Sequence, residues 1–375
     1  MPENKLQHYV PKCHLRPFAS GEAINLYNII SGRLVENAPI RGQCARNYFY
    51  GKDGILERGL QIWEGEYASA VAKAVHDPDS LVESDLAAIL EFALLQTFRT
   101  YGYVEKLLAT SDKQHADLQA ASSGLPLPPR MLNNVGEAVN MSISHFLKMR
   151  KHVADLDVCI LLNKSRRRFV TSDDPAIHTN RFHFQRLKSE SFGFSSAGAI
   201  LFLPLTPTLG FMAFDGNVYI AEGRRGNVVT VIRDAEITAL NELQMLHARQ
   251  NIYYGDAATG RVVASEFPQF SRNRPEDWTR LTYFEKVGES ERHERYGQVD
   301  ALTIAPGKEH ITALQMVHVR PSRWSDVLKF RLRPRTVDTG SGAGVVRPDH
   351  PVLVEMAARR AVRPSKQILA SFAKF

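Results

Sequence analysis

The chain has 375 residues, of which 44% are hydrophobic and 23% charged, with a formal charge of +7 and three cysteines. That length fits two domains of about 150 residues each or one large domain with insertions, and the composition supports a real core rather than disorder. Met-Pro-Glu-Asn-Lys-Leu-Gln-His at the start has no apolar run of the kind an export signal needs, and Cys13, Cys44 and Cys159 lie too far apart for a disulfide framework, so a cytoplasmic protein is expected.

The first dense stretch is His8-Tyr-Val-Pro-Lys-Cys-His-Leu-Arg-Pro-Phe18, where His8, His14 and Arg16 alternate with Tyr9, Val10, Leu15 and Phe18. Polar tips interleaved with apolar bodies suit either a segment that aims its polar groups into a site or a docked terminus with structural hydrogen bonds. His8, Cys13, His14 and Cys44 can be drawn as a zinc set, although no Cys-x-x-Cys pair supports it, and buried cysteines are the plainer reading. Next, Ile24 to Ile29, the turn Ser31-Gly32 and Arg33 to Ile40 read as a hairpin. Leu56, Leu60, Trp63 and Tyr67, then Ala70, Val71 and Ala74, fall at helical spacing. Glu57 and Glu64, seven apart, share an edge beside that stripe, facing a cleft or pairing with nearby cations.

Ser84 suits the N-cap of a helix beginning at Asp85, whose run Leu86 to Thr100 is apolar nearly all round and therefore buried. Gln96 and Arg99 share a face of it, and a buried guanidinium needs a carboxylate or phosphate partner, most economically Glu57, Glu64, Asp173 or Asp174. Ala120 to Arg130 reads as a loop and Val135 to Arg150 as an amphipathic helix.

Val158 to Leu162 and Phe169 to Thr171 read as the strands of a hairpin that ends in Ser172-Asp-Asp-Pro175. Asp174, which precedes a proline, is pushed towards extended backbone, so the loop is stiff. Two carboxylates on a stiff loop suit a metal or proton transfer; an Asx-type turn whose carboxylates satisfy backbone amides fits as well. Phe192 to Phe214 carries no charge and is long enough to span a bilayer, but Pro204, Pro207 and three glycines divide it into two buried strands and no membrane span is expected. Asn217 to Ala221 and Val228 to Ile232 are further strand candidates, and Ala235 to Gln250 a helix with Asn241 beside its apolar stripe.

From about Asp256 the sequence turns Arg-, Glu- and Pro-rich, which places a boundary between a 1–255 domain and a basic 256–375 region. In the latter, Tyr283 to Gln298 reads as exposed, Val317 to Arg320 and Val327 to Leu332 as late strands, and Ala357 to Ala373 as a helix. Residues 326–375 hold ten Lys or Arg against four Asp or Glu, 10 − 4 = +6. A basic tail suits nucleic acid or another polyanion, or is a solvated terminus. The fold class expected from these elements is α+β, a helical layer on a mixed or antiparallel sheet with a basic C-terminal extension.

As a set and in this order, His8-Tyr-Val-Pro with Leu15-Arg-Pro-Phe18, the Leu56-Glu57 to Glu64 helix, Gln96-Thr-Phe-Arg99-Thr, Phe169-Val-Thr-Ser-Asp-Asp-Pro and the Asn241 helix resemble a bacterial family, domain of unknown function 4238. The resemblance covers roughly residues 7–255. Cys13-His14 stands where that family usually has aromatic or aliphatic residues, and Asp174 where it often has Asn. The family name implies no activity.

Two functional expectations follow from the residues. In a metal-dependent phosphodiesterase or nuclease, Asp173, Asp174, Glu57 and Glu64 hold Mg²⁺ or Mn²⁺, His8 acts as acid or base beside Asp173, and Arg16 and Arg99, with Gln96 and Asn241, bind phosphate or support the site. In a non-catalytic protein, the same groups bind nucleic acid, a nucleotide or another anion, or form a structural network. Both require His8, Arg16, Glu57, Arg99 and Asp173 to converge. No phosphate-binding loop, dinucleotide fingerprint, nucleophile elbow or His-Glu-x-x-His motif is present.

Overall fold

Helical periodicity in the first half of the chain produces the expected layer. The computed structural model describes residues 5–121, 129–289, 293–303, 310–340, 343–348, 350–353, 355 and 367–370. After the short helix α1 (Lys12–Leu15), α2 (Ile55–His76) buries Leu60, Tyr67, Ala70, Val71 and Ala74. Its Tyr67 ring stacks on Phe92 of α3 (Glu83–Arg99) at 3.6 Å and 10°. α3 begins one residue before the expected Ser84 cap: Asp85 takes the Val82 amide at 3.1 Å, so the first turn is satisfied from inside the helix. Ile89, Phe92, Leu94 and Leu95 of α3 are fully buried, each contributing about 1.5–3 kcal/mol of burial free energy.

Thr100 takes an extended conformation and separates α3 from α4 (Tyr101–Ala121), so two long helices meet at a one-residue break. α5 (Val135–Met149), capped by the Asn134 side chain, completes the layer against α3 and α4.

The helices pack on a five-stranded mixed sheet ordered Val228–Val231, Asp157–Asn163, Leu209–Phe214, Ile200–Pro204, Ile177–Thr179, in which only the first pair is parallel. The two uncharged strands in 192–214 form the antiparallel pair expected of them, every residue buried. No helix among the described residues is long and apolar enough to cross a membrane. The expected hairpin between 158–162 and 169–171 does not form. Asp157–Asn163 joins the five-stranded sheet, whereas Thr171–Ser172 pairs with Asn251–Tyr254 in a second sheet that also holds the hairpin Ala23–Asn28/Arg33–Pro39. Local pattern identified both strands, but the partner is chosen by long-range packing.

Two side chains of α6 (Asp234–His247) fix that second placement. Asn241 accepts the Val170 amide at 3.1 Å and donates to the Arg168 carbonyl at 2.8 Å; Gln244, one turn on, donates to the Pro175 carbonyl at 2.7 Å and accepts from the Ser172 hydroxyl at 2.9 Å. A buried amide with all its partners is worth keeping, because an orphaned one costs about 1–3 kcal/mol.

The change of composition at Asp256 falls at the N-cap of α7 (Ala257–Phe270), whose Phe267 packs 5.4 Å from Tyr27. Beyond it, Thr279–Glu289 lies between His310–Met316 and His293–Val299 in a further sheet. Tyr283, Phe284 and Tyr296 are buried there, so Tyr283 to Gln298 is less exposed than its charge implies. Val317 to Arg320 is not a strand, while Leu328–Phe330 is, pairing with Tyr219–Ala221. Fully buried Arg347 pins this return to the body through Asp155 at 2.6 and 2.8 Å. Within the expected helix 357–373, Gln367–Ala370 is instead a strand parallel to His293–Val299; the rest of that range lies outside the described residues, as does most of the basic terminus. The architecture is α+β.

Candidate functional site

Of the side chains expected to share a site, one group gathers at the last turn of α3. Arg99, 1% exposed, donates from Nε to the Tyr50 hydroxyl at 3.0 Å and from Nη2 to the His8 carbonyl at 3.0 Å and Glu64 Oε1 at 2.8 Å. Gln96 donates to the Tyr9 carbonyl at 3.2 Å. Gln7 accepts the Tyr50 amide at 2.6 Å and donates to Glu57 at 3.2 Å. The carboxylate partner expected for Arg99 is therefore Glu64, and the network staples the N-terminal segment to α2 and α3. His8 enters it through its carbonyl. Burial lowers the His8 imidazole pKa to about 4, and its Nε2 is buried without a hydrogen-bond partner. Arg16 stands apart, more than half exposed, paired with Glu22 at 3.2 Å. A surface pair of this kind is worth little.

His14 is fully buried between α2 and the second sheet, with Nδ1 2.8 Å from the Tyr67 hydroxyl and Nε2 2.9 Å from Thr171 Oγ1. Burial holds it neutral, its pKa lowered to about 3. Cys44 Sγ lies 3.3 Å from the Tyr253 hydroxyl, and Cys13 faces the Glu64 carbonyl. Of the residues drawn as a zinc set, Cys13, His14 and Cys44 are therefore engaged with separate partners, while His8 takes part through its backbone carbonyl.

Asp173 and Asp174 form a second network rather than completing the first. Asp173, 3% exposed, accepts the backbone amides of Arg249 and Gln250, both at 2.8 Å, and so fastens the turn after α6 to the second sheet. Asp174 accepts from the Thr100 hydroxyl at 3.1 Å, with Lys106 Nζ 4.0 Å away. Burial raises both carboxyl pKa values, that of Asp173 to about 7, with the adjacent Asp174 adding to it. Among the described residues no group of three or more His, Cys, Asp or Glu is arranged to hold a metal ion. Glu57, Glu64, Asp173 and Asp174 do not fit one Mg²⁺ or Mn²⁺, since each is turned to a different partner.

Behind Asp174 lies a group that the sequence did not single out. Lys106 Nζ sits 4.7 Å from the centre of the Trp278 ring, and the Arg249 and Arg274 guanidinium carbons lie 5.1 and 5.9 Å from it. α4 supplies Lys106, the turn after α6 supplies Arg249, and the loop after α7 supplies Arg274 and Trp278. Gly102 makes room for this: a Cβ there would lie 2.8 Å from Arg249 Cγ, so the arginine stem crosses the first turn of α4 where any larger residue would block it. Glu105 pairs with Arg249 at 3.6 Å. Arg274 donates only to the Met245 carbonyl, at 3.5 Å, and has no carboxylate within salt-bridge distance among the described residues. Burial lowers the pKa of Lys106 and of Arg274; Asp174 opposes the first shift and Asp173 the second, while the neighbouring Arg249 adds to both. His247, which contacts the Trp278 ring, is held neutral, its pKa lowered to about 3 by burial first and then by Lys106.

Crowded, partly buried cations whose carboxylates stand at 3.6 Å or more keep donors that an anion can take. Lys106, Arg249, Arg274 and Trp278 come from three regions of the chain, so no spacing rule could find them. The one local signal is an isolated Trp in an Arg- and Pro-rich stretch.

A family model described as protein of unknown function (DUF4238) matches residues 6–258. No curated protein and no solved structure matches the chain.

Proposed function

The chain belongs to the DUF4238 family, whose description names no activity, and we propose that it is a binding protein for a phosphate-bearing ligand, a nucleotide or nucleic acid, received by Lys106, Arg249 and Arg274. The observation that carries this reading is the convergence of three cations on Trp278 whose nearest carboxylates stand off, Glu105 at 3.6 Å from Arg249 and Asp174 at 4.0 Å from Lys106. Arg274 has no carboxylate partner among the described residues, and Lys106 has only Asp174 at 4.0 Å. A phosphate group would relieve the repulsion between these cations and accept charge-assisted hydrogen bonds from guanidinium and ammonium donors. The buried carboxylates Asp173 and Asp174 have a supporting role here: they hold the turn that presents Arg249 and anchor the start of α4 through Thr100. His8, Gln96 and Arg99 belong to the neighbouring staple, which keeps α3, and hence α4, in position.

The test is titration calorimetry of the purified chain with inorganic phosphate, AMP and ATP, beside Arg274→Gln and Lys106→Gln variants. Expected is binding to wild type that weakens about tenfold or more on loss of either cation, the loss of one charge-assisted contact. Absence of binding by all three ligands and by an oligonucleotide would reject the reading.

A further inference from the structure

The cations around Trp278 continue into a stripe of further cation–aromatic pairs. Arg249 crosses Gly102, and the next ring along α4 is Tyr101. The guanidinium of Arg46 lies on that ring, its carbon 3.3 Å from the ring centre, with its outer side in solvent. Arg46 has no carboxylate within salt-bridge distance among the described residues. Buried Phe49 packs 6.3 Å from Tyr101, and the residue before it in sequence, Tyr48, is 37% exposed and has Lys52 Nζ 5.6 Å from its ring. Tyr48 holds a left-handed backbone, φ 54°, which a non-glycine residue adopts at a cost. The Lys5 carbonyl accepts the Tyr48 amide at 2.7 Å, so a further exposed cation lies at this end.

From this arrangement, and resting on the anion-binding reading above, we infer that the ligand is single-stranded nucleic acid, laid from Trp278 across Tyr101 to Tyr48. Repeated cations track a phosphate backbone, and aromatic rings or exposed guanidinium planes between them offer stacking faces for bases. A lone nucleotide would need only the Trp278 end. A duplex keeps its bases stacked inside and has no use for the faces at Tyr101 and Tyr48. Between the two ends Glu105 pairs with Arg249 at 3.6 Å, and Asp174 lies 4.0 Å from Lys106.

The experiment is fluorescence anisotropy of labelled 15-mers, oligo-dT and oligo-rU, against the full chain from low to moderate salt, with a duplex of equal length and free ATP as competitors. Expected is binding of the single strands in preference to the duplex, with log Kd against log salt rising by roughly 3 to 4 if about five phosphates are neutralised. The double variant Arg46→Glu/Lys52→Glu, on exposed residues outside the packed core, should weaken oligonucleotide binding by about tenfold or more and leave ATP affinity unchanged. ATP binding without oligonucleotide binding would overturn the inference and leave the anion-binding reading standing. Oligonucleotide binding that the double variant does not weaken would also overturn it, assigning the contact to another surface such as the basic terminus.

Discussion

The two charged clusters on either side of Thr100 are built from the same residue types and solve opposite problems. At Arg99 a single guanidinium is sealed in the interior and each described contact, Glu64, Tyr50 and the His8 carbonyl, ties another segment to it. At Trp278 three cations are held together largely buried, with their carboxylates at 3.6 Å or more. The first cluster uses charge to choose one packing, and the second keeps charge available. Residues one apart in sequence serve both: Arg99 closes the staple, and Thr100 starts α4 and holds Asp174.

The largest expected effect lies in the staple. Arg99→Ala leaves Glu64 without its cation and the His8 carbonyl without a donor, and should cost about 3–5 kcal/mol, as does removal of one partner of a buried ion pair. Denaturant unfolding measures this, and a midpoint within error of wild type would show that the network does not hold the N-terminal segment. Next comes Asp173→Asn, which keeps the shape but replaces one acceptor of two backbone amides, for a loss of about 1–3 kcal/mol at low pH. Its pH dependence sharpens the contrast. The Asp173 pKa is about 7 when folded against 3.8 as reference. The native state thus binds more protons, and the stability from this group falls as pH rises from about 4 to about 7. The difference in melting temperature between wild type and Asp173→Asn should therefore shrink across that window; a constant difference would contradict the raised pKa.

His14 acts in the other direction. Its pKa falls from 6.5 to about 3 on folding, so the native state binds fewer protons and stability is lost as pH falls below about 6.5. His14→Gln, able to bond both Tyr67 and Thr171, should unfold at lower pH than wild type by acid titration followed by circular dichroism. In the cationic cluster the expectation reverses: Arg274→Gln should change stability by no more than about 0.5 kcal/mol while weakening anion binding. Destabilisation of several kcal/mol would make that cluster a structural device like the first. The smallest effect belongs to Arg16→Ala, about 0.5 kcal/mol or less, since Arg16 and Glu22 are both more than half exposed.

The sequence by itself determined what depends on near neighbours. Helical spacing located α2, α3, α5 and α6, the uncharged run resolved into two buried strands, and an apolar helix carrying Arg99 required a carboxylate or phosphate partner. The motif order from His8 to Asn241 carried the family. Tertiary structure decided what depends on contacts between distant segments. Asp157–Asn163 and Thr171–Ser172 are consecutive strands, yet they enter different sheets because Asn241 and Gln244 of α6 hold the second one away. In sequence the carboxylates of Asp173 and Asp174 suit either a site or the amides of their own turn, but the amides that occupy Asp173 belong to residues 249 and 250. Likewise Arg46, Tyr101, Lys106, Arg249, Arg274 and Trp278 have no shared period or motif. Secondary structure follows from interactions over a few residues, whereas a receptor for charge exists only where the folded backbone brings remote cations closer than their mutual repulsion would allow alone.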